Sequence, residues 1–206
     1  AFVMALVRAC GGRLKRVCVG YDWRFGRGRE GDVALLSMIG GREGFEVTAI
    51  PAVEVGGVVV RSTRVREGVG RGELEMVKQL LGRSYGISGK VVEGQGLGRK
   101  IGFRTANLEV ENRLMPPYGV YAVGVMVDGT TVGGVANFGV RPTVAGDPGA
   151  PVFEIHLFDR EQDLYGKVLR VELVSRLRGE QKFGGVDDLR EQISKDIESA
   201  KVIMGA

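Results

Sequence analysis

After Gly86, strand-like segments follow one another with almost no helical period, and this constrains the fold more than any other feature of the sequence. Val120 to Val127 reads as a strand, Asp128-Gly129 marks a tight hairpin turn, and Thr131 to Phe138 returns beside it. Val152 to Phe158 and Val168 to Val174 are further strands. Such a run of strands and tight turns predicts a small barrel or closed antiparallel sheet. One helix follows, about Asp188 to Met204, with Leu189, Ile193, Ile197, Ala200 and Met204 on one face. Asp187 or Asp188 is expected to cap its N-terminus.

Before Gly86 the pattern differs. Residues 4–10 have a helical period, Arg16 to Val19 reads as a short buried strand, and residues 33–39 are helical again. Phe45 to Pro51 reads as a strand, and Leu74 to Leu81 as a helix stopped at Gly82. Strand-helix alternation of this kind predicts an α/β region with a parallel sheet. The expected domains are therefore residues 1–83 and 84–206, with the boundary near Arg83–Gly89. Charge follows the same division. Residues 1–83 carry 14 Lys and Arg against 9 Asp and Glu, whereas residues 84–206 carry 15 against 16. The basic excess suits a polyanion or a nucleotide phosphate equally well. No block of like charges marks a nucleic-acid tail, and no apolar run approaches the roughly 18 residues of a membrane helix. Ala1 to Leu6 is too short for a signal peptide. A soluble cytoplasmic protein, with neither nucleic acid nor membrane as partner, is the expectation. Cys10 and Cys18, the two cysteines, read as plain structural residues.

Two segments carry chemistry. In Val152 to Phe158, alternation sends Phe153, Ile155 and Leu157 to a core face and leaves Glu154 and His156 on the other. A carboxylate among apolar neighbours there is either a general base, its pKa raised by partial desolvation, or an ordinary Glu on a solvated face. The stretch from Gly94 to Asn107 is rich in glycine, with Gly94, Gly96 and Gly98 able to bring backbone N–H groups close to phosphate oxygens. Arg99 and Lys100 supply countercharge, and Thr105 and Asn107, two residues apart, face the same way on an extended segment. Oxygen ligands of that type suit Mg²⁺ held mainly by nucleotide phosphates. No Gly-Lys-Ser/Thr occurs, so this is not a Walker loop, and a plain surface loop is the competing reading.

Taken in order, these pieces resemble the riboflavin kinase family. The residues that carry the likeness are Gly102-Phe103-Arg104-Thr105-Ala106-Asn107, Gly119-Val120-Tyr121, Asn137-Phe138-Gly139-Val140-Arg141-Pro142-Thr143, Glu154-Ile155-His156, Tyr165-Gly166 and Leu177 to Phe183. They cover essentially all of residues 87–204 with compatible spacing. The resemblance implies a six-stranded barrel with a C-terminal helix and ATP-dependent phosphorylation of riboflavin to FMN. It implies Glu154 as the base, and Thr105 and Asn107 as ligands of Mg²⁺ and ATP phosphates. Gly94, Gly96, Gly98 and Arg99 would lie against the nucleotide, and Arg178 near the flavin. One departure stands out: the family pattern has Pro where this chain has Arg104, which removes a fixed φ and adds a charge beside the phosphate site.

Residues 1–83 resemble the second half of the FMN adenylyltransferase domain that precedes the kinase in bifunctional bacterial FAD synthetases. The likeness rests on Val19 to Asp32 and on Arg61-Ser62-Thr63-Arg64-Val65-Arg66. The latter matches the family's Ser-Ser-Thr-x-Ile-Arg phosphate-binding motif, so Ser62, Thr63 and Arg66 are its candidate phosphate ligands. That domain's first half should carry a His-x-Gly-His loop. The one histidine here is His156, in the kinase-like part, so the chain alone is expected not to adenylate FMN. It is expected to be a fragment, a mis-started reading frame or a degenerate protein, with residues 1–83 poorly stable because a half Rossmann-like sheet exposes an edge. Two alternatives stand beside the kinase: a bifunctional enzyme making FAD if the missing segment is supplied, and a non-catalytic flavin- or nucleotide-binding barrel.

Overall fold

The structure, a computed structural model, describes residues 2–94, 96–140, 151–158 and 162–205, with Leu97 and Lys100 described by backbone alone. Arg141, Pro142 and Thr143 of the Asn137 motif, and Gln95 of the glycine-rich stretch, lie outside the described residues, as does the Lys100 side chain expected to supply countercharge. The chain divides into two compact units, residues 1–60 and 61–206.

In the first unit, α1 (Phe2–Ala9) leads to β1 (Arg16–Gly20), α2 (Val33–Glu43) and β2 (Glu46–Ile50). The strands β1 and β2 pair in parallel, Arg16 opposite Glu46 and Gly20 opposite Ile50, as the strand-helix alternation predicted. Val3, Leu36 and Phe45 form a small buried core, with Trp23 and Phe25 stacked beside it at 5.0 Å. Asp32 caps α2 by accepting the Leu35 N–H at 2.9 Å. That helix runs through Gly40 and Gly41, past the end expected near residue 39, and stops at Gly44, which has φ 80. A short hairpin, β3 (Glu54–Val55) and β4 (Val58–Val59), completes the unit.

The second unit opens with α3 (Ser62–Arg71) and α4 (Leu74–Leu81). The latter buries Leu74 in the core of the barrel that follows, so packing groups both helices with the barrel. The remaining strands are β5 (Tyr85–Val92), β6 (Ala106–Val110), β7 (Gly119–Val127), β8 (Thr130–Val140), β9 (Pro151–Leu157) and β10 (Val168–Arg178). They close into a barrel in the order β10-β5-β6-β9-β8-β7, every neighbouring pair antiparallel. This is the six-stranded barrel that the resemblance implied. The β7–β8 turn is Asp128-Gly129, both at positive φ (50 and 82), the backbone of a two-residue hairpin loop. Between β5 and β6 the chain makes one helical turn, α5 (Leu97–Lys100).

Inward-pointing side chains such as Ile87, Val123, Phe153, Ile155 and Val171 fill the barrel. The last helix, α6 (Val186–Met204), lies on the outer face of β7 and β8, with Ala200 and Ile197 over Val120, Ala122 and Val135. That explains why β7 is apolar on both faces: one side fills the barrel and the other is covered by α6. The start of α6 corrects the expected cap. Its N-cap is Gly185, with no side-chain hydrogen bond, and Asp187 and Asp188 sit inside the first turn. There they meet the positive end of the helix dipole instead of capping it.

Candidate active site

The site grows from the register of three strands. Glu154, at the middle of β9, stands opposite Asn107 of β6 on one side and Asn137 of β8 on the other. Residues opposite one another point to the same face, so these three side chains form a row on the outer surface of the barrel. The alternation read from the sequence holds: Phe153, Ile155 and Leu157 are buried inside, while Glu154 and His156 are half-buried on the outer face. Asn107 is buried, and Glu154 and Asn107 both have interaction partners in the fold.

Over this row lies a cavity of about 400 Å³. Its floor is the Asn107–Glu154–Asn137 row with Val120 and Val135, and its roof is the face of α6 that carries Leu189, Ile193 and Ile197. Gly96, Gly98, Phe103 and Thr105 close one end, and Arg178, Glu180 and Phe183 the other. A second cavity of about 350 Å³ is lined by Arg99, Arg104, Asp163, Tyr165 and apolar side chains including Leu157 and Leu164, carries a net positive charge, and shares Gly96 and Thr105 with the first. The wall between an acid-bearing, largely apolar chamber and a basic one is thus made by the two elements the sequence singled out for phosphate and metal.

Local packing explains the glycines. A Cβ on Gly94 would overlap the Asn107 amide, so only glycine lets the backbone approach it there. The Gly98 carbonyl accepts the N–H groups of Ile101 (3.1 Å) and Phe103 (2.8 Å), which folds the loop back toward Thr105. The segment between Phe103 and Thr105 is fastened to β9 by His156, whose Nδ1 lies 2.9 Å from the Arg104 carbonyl oxygen.

Arg178 reaches the cavity wall, but its guanidinium is already engaged. It donates to Asp196 of α6 through Nε (3.0 Å) and Nη2 (2.8 Å) and lies over the Phe183 ring at 5.7 Å. Gln192 donates to the same carboxylate at 2.9 Å. Irregular register in β10 near Ser175 and Arg178 turns the strand end toward the helix. Glu180 accepts the Val140 N–H at 3.3 Å, joining the end of β8 to the segment after β10. Sequence reasoning had given no role to Asn137, Asp196 or Glu180. Asn137 and Glu180 stood inside quoted motifs, but Asn137's pairing with Glu154 needs the closed barrel to be seen.

Ser62, Thr63 and Arg66 form the first turns of α3, with Arg66 donating to the Ser62 hydroxyl at 3.3 Å. They belong to the second unit, whereas Val19 to Asp32 belongs to the first.

Comparisons with known proteins agree with this architecture. A family model described as riboflavin kinase matches residues 81–204, and one described as FAD synthetase matches residues 2–64. The chain belongs to the riboflavin kinase family. It is 44% identical over 194 residues to the bifunctional riboflavin kinase/FMN adenylyltransferase of Escherichia coli K12, covering 94% of this chain and 61% of that protein. The protein of the same name from Pseudomonas fluorescens is 42% identical, covering 90% of this chain and 59% of the relative. The chain thus spans about three-fifths of the length of these curated relatives. A crystal structure titled as a macrolide-efflux protein from Streptococcus pneumoniae superposes with a TM-score of 0.75 at 34% identity, covering 88% of this chain and 58% of that one. Among the described residues, no helix is long and apolar enough to cross a membrane.

Proposed function

We propose that the chain transfers the terminal phosphoryl group of ATP to the 5′-hydroxyl of riboflavin, with residues 84–206 as the kinase module and 1–83 as part of an adenylyltransferase domain. The observation that carries this reading is Glu154 held in register between Asn107 and Asn137, beside a wall shared by an apolar and a basic cavity. The apolar chamber under α6 takes the flat flavin ring, and its ribityl chain points to Glu154. The basic chamber takes ATP, its phosphates toward Arg99, Arg104 and the backbone of Gly96. Gly94 and Gly98 shape the loop rather than touch the nucleotide. Glu154 accepts the proton of the 5′-hydroxyl as that oxygen bonds to the γ-phosphorus, and the bond from phosphorus to the bridging oxygen breaks to release ADP. Phosphoryl transfer depends on positioning and charge neutralisation more than on covalent help, which suits a site of this type.

The donor set fits a divalent cation brought in with the nucleotide. Thr105 offers a neutral hard oxygen at the shared wall and Asn107 one in the first cavity, and no cluster of three His, Cys, Asp or Glu able to hold a metal occurs among the described residues. Thr105 and Asn107 would therefore hold Mg²⁺ together with ATP phosphate oxygens, and the ion would neutralise charge on the transferred group.

Turnover tests the reading directly. With Mg²⁺, ATP and riboflavin, the purified chain is expected to form FMN, separated by chromatography and seen by fluorescence. Glu154→Gln and Glu154→Ala should lower kcat by roughly 10²–10⁴-fold with little change in either KM, the size of a lost general base. Undiminished FMN formation by both variants would remove Glu154 from the chemistry. The FAD synthetase match over residues 2–64 favours a second reading, a bifunctional enzyme making FAD when the rest of the adenylyltransferase domain is supplied, and FAD beside FMN in the same chromatogram would support it.

A further inference from the structure

We infer that His156 is a positioning residue that aims Thr105 at the shared wall of the two cavities; this rests on the kinase reading above. The pairing of β6 with β9 runs from Leu108 opposite Phe153 to Ala106 opposite Ile155 and stops there. Thr105 is therefore the first residue beyond the ladder, with no strand geometry to hold it. The side chain of His156 takes over at that point. Its Nδ1 lies 2.9 Å from the Arg104 carbonyl oxygen. A carbonyl only accepts, so Nδ1 carries the proton, and Nε2 holds the lone pair when the ring is neutral. Phe103 meets the same imidazole edge-on, at 5.8 Å and 90° between ring planes. Both residues that precede Thr105 are thus fixed to one side chain of β9.

That side chain stands two residues from Glu154 on the same strand face. The proposed base and the proposed phosphate ligand are thereby referenced to one rigid strand. Residue 104 gives this bond particular weight. A proline there would fix φ through its ring, and Arg104 lacks that covalent restraint. The carbonyl bond to His156 adds restraint where the sequence has given one up. It operates with the ring neutral or charged, because Nδ1–H is present in both forms.

The role differs from general structural support in what it disturbs. His156 and Phe103 also line the end of the flavin chamber, so His156→Ala opens that chamber as well as freeing Thr105, whereas a variant that keeps a ring isolates the lost donor. Three variants separate the contributions. His156→Ala removes ring and donor, His156→Phe keeps a ring without a donor, and His156→Asn places an amide N–H where Nδ1 stood. The expected result is a KM for ATP raised roughly three- to tenfold in the Ala and Phe variants, about the effect of one hydrogen bond. In His156→Phe, which keeps a ring in the flavin chamber, the KM for riboflavin should stay within about twofold, and the Asn variant should recover most of the ATP affinity. Equal changes in both KM values in His156→Phe, or an Asn variant no better than Ala in ATP affinity, would overturn the inference.

A second measurement keeps the clamp testable apart from activity. The chain has one histidine, so its imidazole N–H resonances need no assignment by mutation. A slowly exchanging Nδ1–H signal in the intact chain is expected. If the wild-type chain makes no FMN, the kinase reading fails, and the clamp is then decided by that signal alone: its presence upholds the bond to Arg104, and its absence sinks it.

Discussion

At the residue scale, the Arg178–Asp196 pair shows how a candidate ligand becomes part of the frame. Both side chains are largely buried, Asp196 the more deeply. Their bonds tie the end of β10 to the middle of α6, and so set the height of the cavity roof above Glu154. Removing one partner strands a charge in a low-dielectric site, and Asp196→Ala should destabilise the fold by about 3–5 kcal/mol in urea unfolding. The double change Arg178→Met with Asp196→Leu should recover most of that loss, because an apolar pair of similar volume removes the desolvation cost as well. Stability no better in the double variant than in Asp196→Ala would mean that an apolar pair does not replace this one, because Arg178 also donates to the Gly179 carbonyl and Gln192 to Asp196. The pairing was not legible in the sequence: the spacing of Asp196, three residues after Ile193 and four before Ala200, places it beside the apolar face of α6, but nothing local names Arg178 of β10 as its partner. Glu154 and His156 were legible because alternation along a strand assigns faces without any knowledge of the neighbours.

At the element scale, what could be read was whatever local chemistry decides. The hairpin at Asp128-Gly129, the double-sided apolar β7 and the amphipathic α6 all announce themselves in short windows of sequence. The strands β5 and β6 do not, because Gly86, Ser88, Gly89 and Lys90 interrupt the first and the second follows directly on the glycine-rich stretch and reads as part of it. The helix α3 escaped for a related reason: Ser62 to Arg71 is polar over most of its length, and it read as a basic phosphate-binding segment. Closure of the barrel depends on long-range pairing that no local window contains, and with it the Asn107–Glu154–Asn137 row. One buried polar group on β7 gives an element-scale prediction. The Tyr121 hydroxyl donates to the Pro117 carbonyl, holding the strand to the segment before it. Burial pushes the phenol above its ordinary value of 10.0, opposed in part by Arg176. A folded-state pKa above the unfolded one means stability that is complete below about pH 10 and drains away as pH rises through the folded value. Tyr121→Phe should cost about 1 kcal/mol at neutral pH. Its deficit relative to wild type should shrink above pH 10, as followed by denaturant titrations across that range. A deficit that stays constant to the alkaline limit would mean that Tyr121 does not titrate differently on folding.

At the scale of the whole molecule, the two compact units differ in how much core they own. The barrel unit buries a continuous cluster from Leu74 to Leu173, whereas among the described residues of 1–60 the buried hydrophobic side chains are Val3, Leu36 and Phe45, with other apolar side chains half-covered around them. A small unit removes less apolar surface from water per residue and has less with which to oppose chain entropy. The first unit should therefore lose its structure under milder conditions than the barrel. The sequence supplies a convenient reporter, because its one tryptophan, Trp23, lies in the first unit and packs against Phe2 and Phe25. Tryptophan fluorescence then follows residues 1–60, while near-ultraviolet circular dichroism is weighted toward the barrel by Tyr85, Tyr121 and the Phe138–Phe153 pair. In a urea titration the fluorescence midpoint should precede the dichroism midpoint, and kinase turnover assayed between the two midpoints should persist, since Glu154, Thr105 and both cavities belong to residues 61–206. Coincident transitions by both probes would instead make the chain a single cooperative body. Activity would then be lost together with the tryptophan signal, and residues 1–60 would have to be counted among the supports of the site.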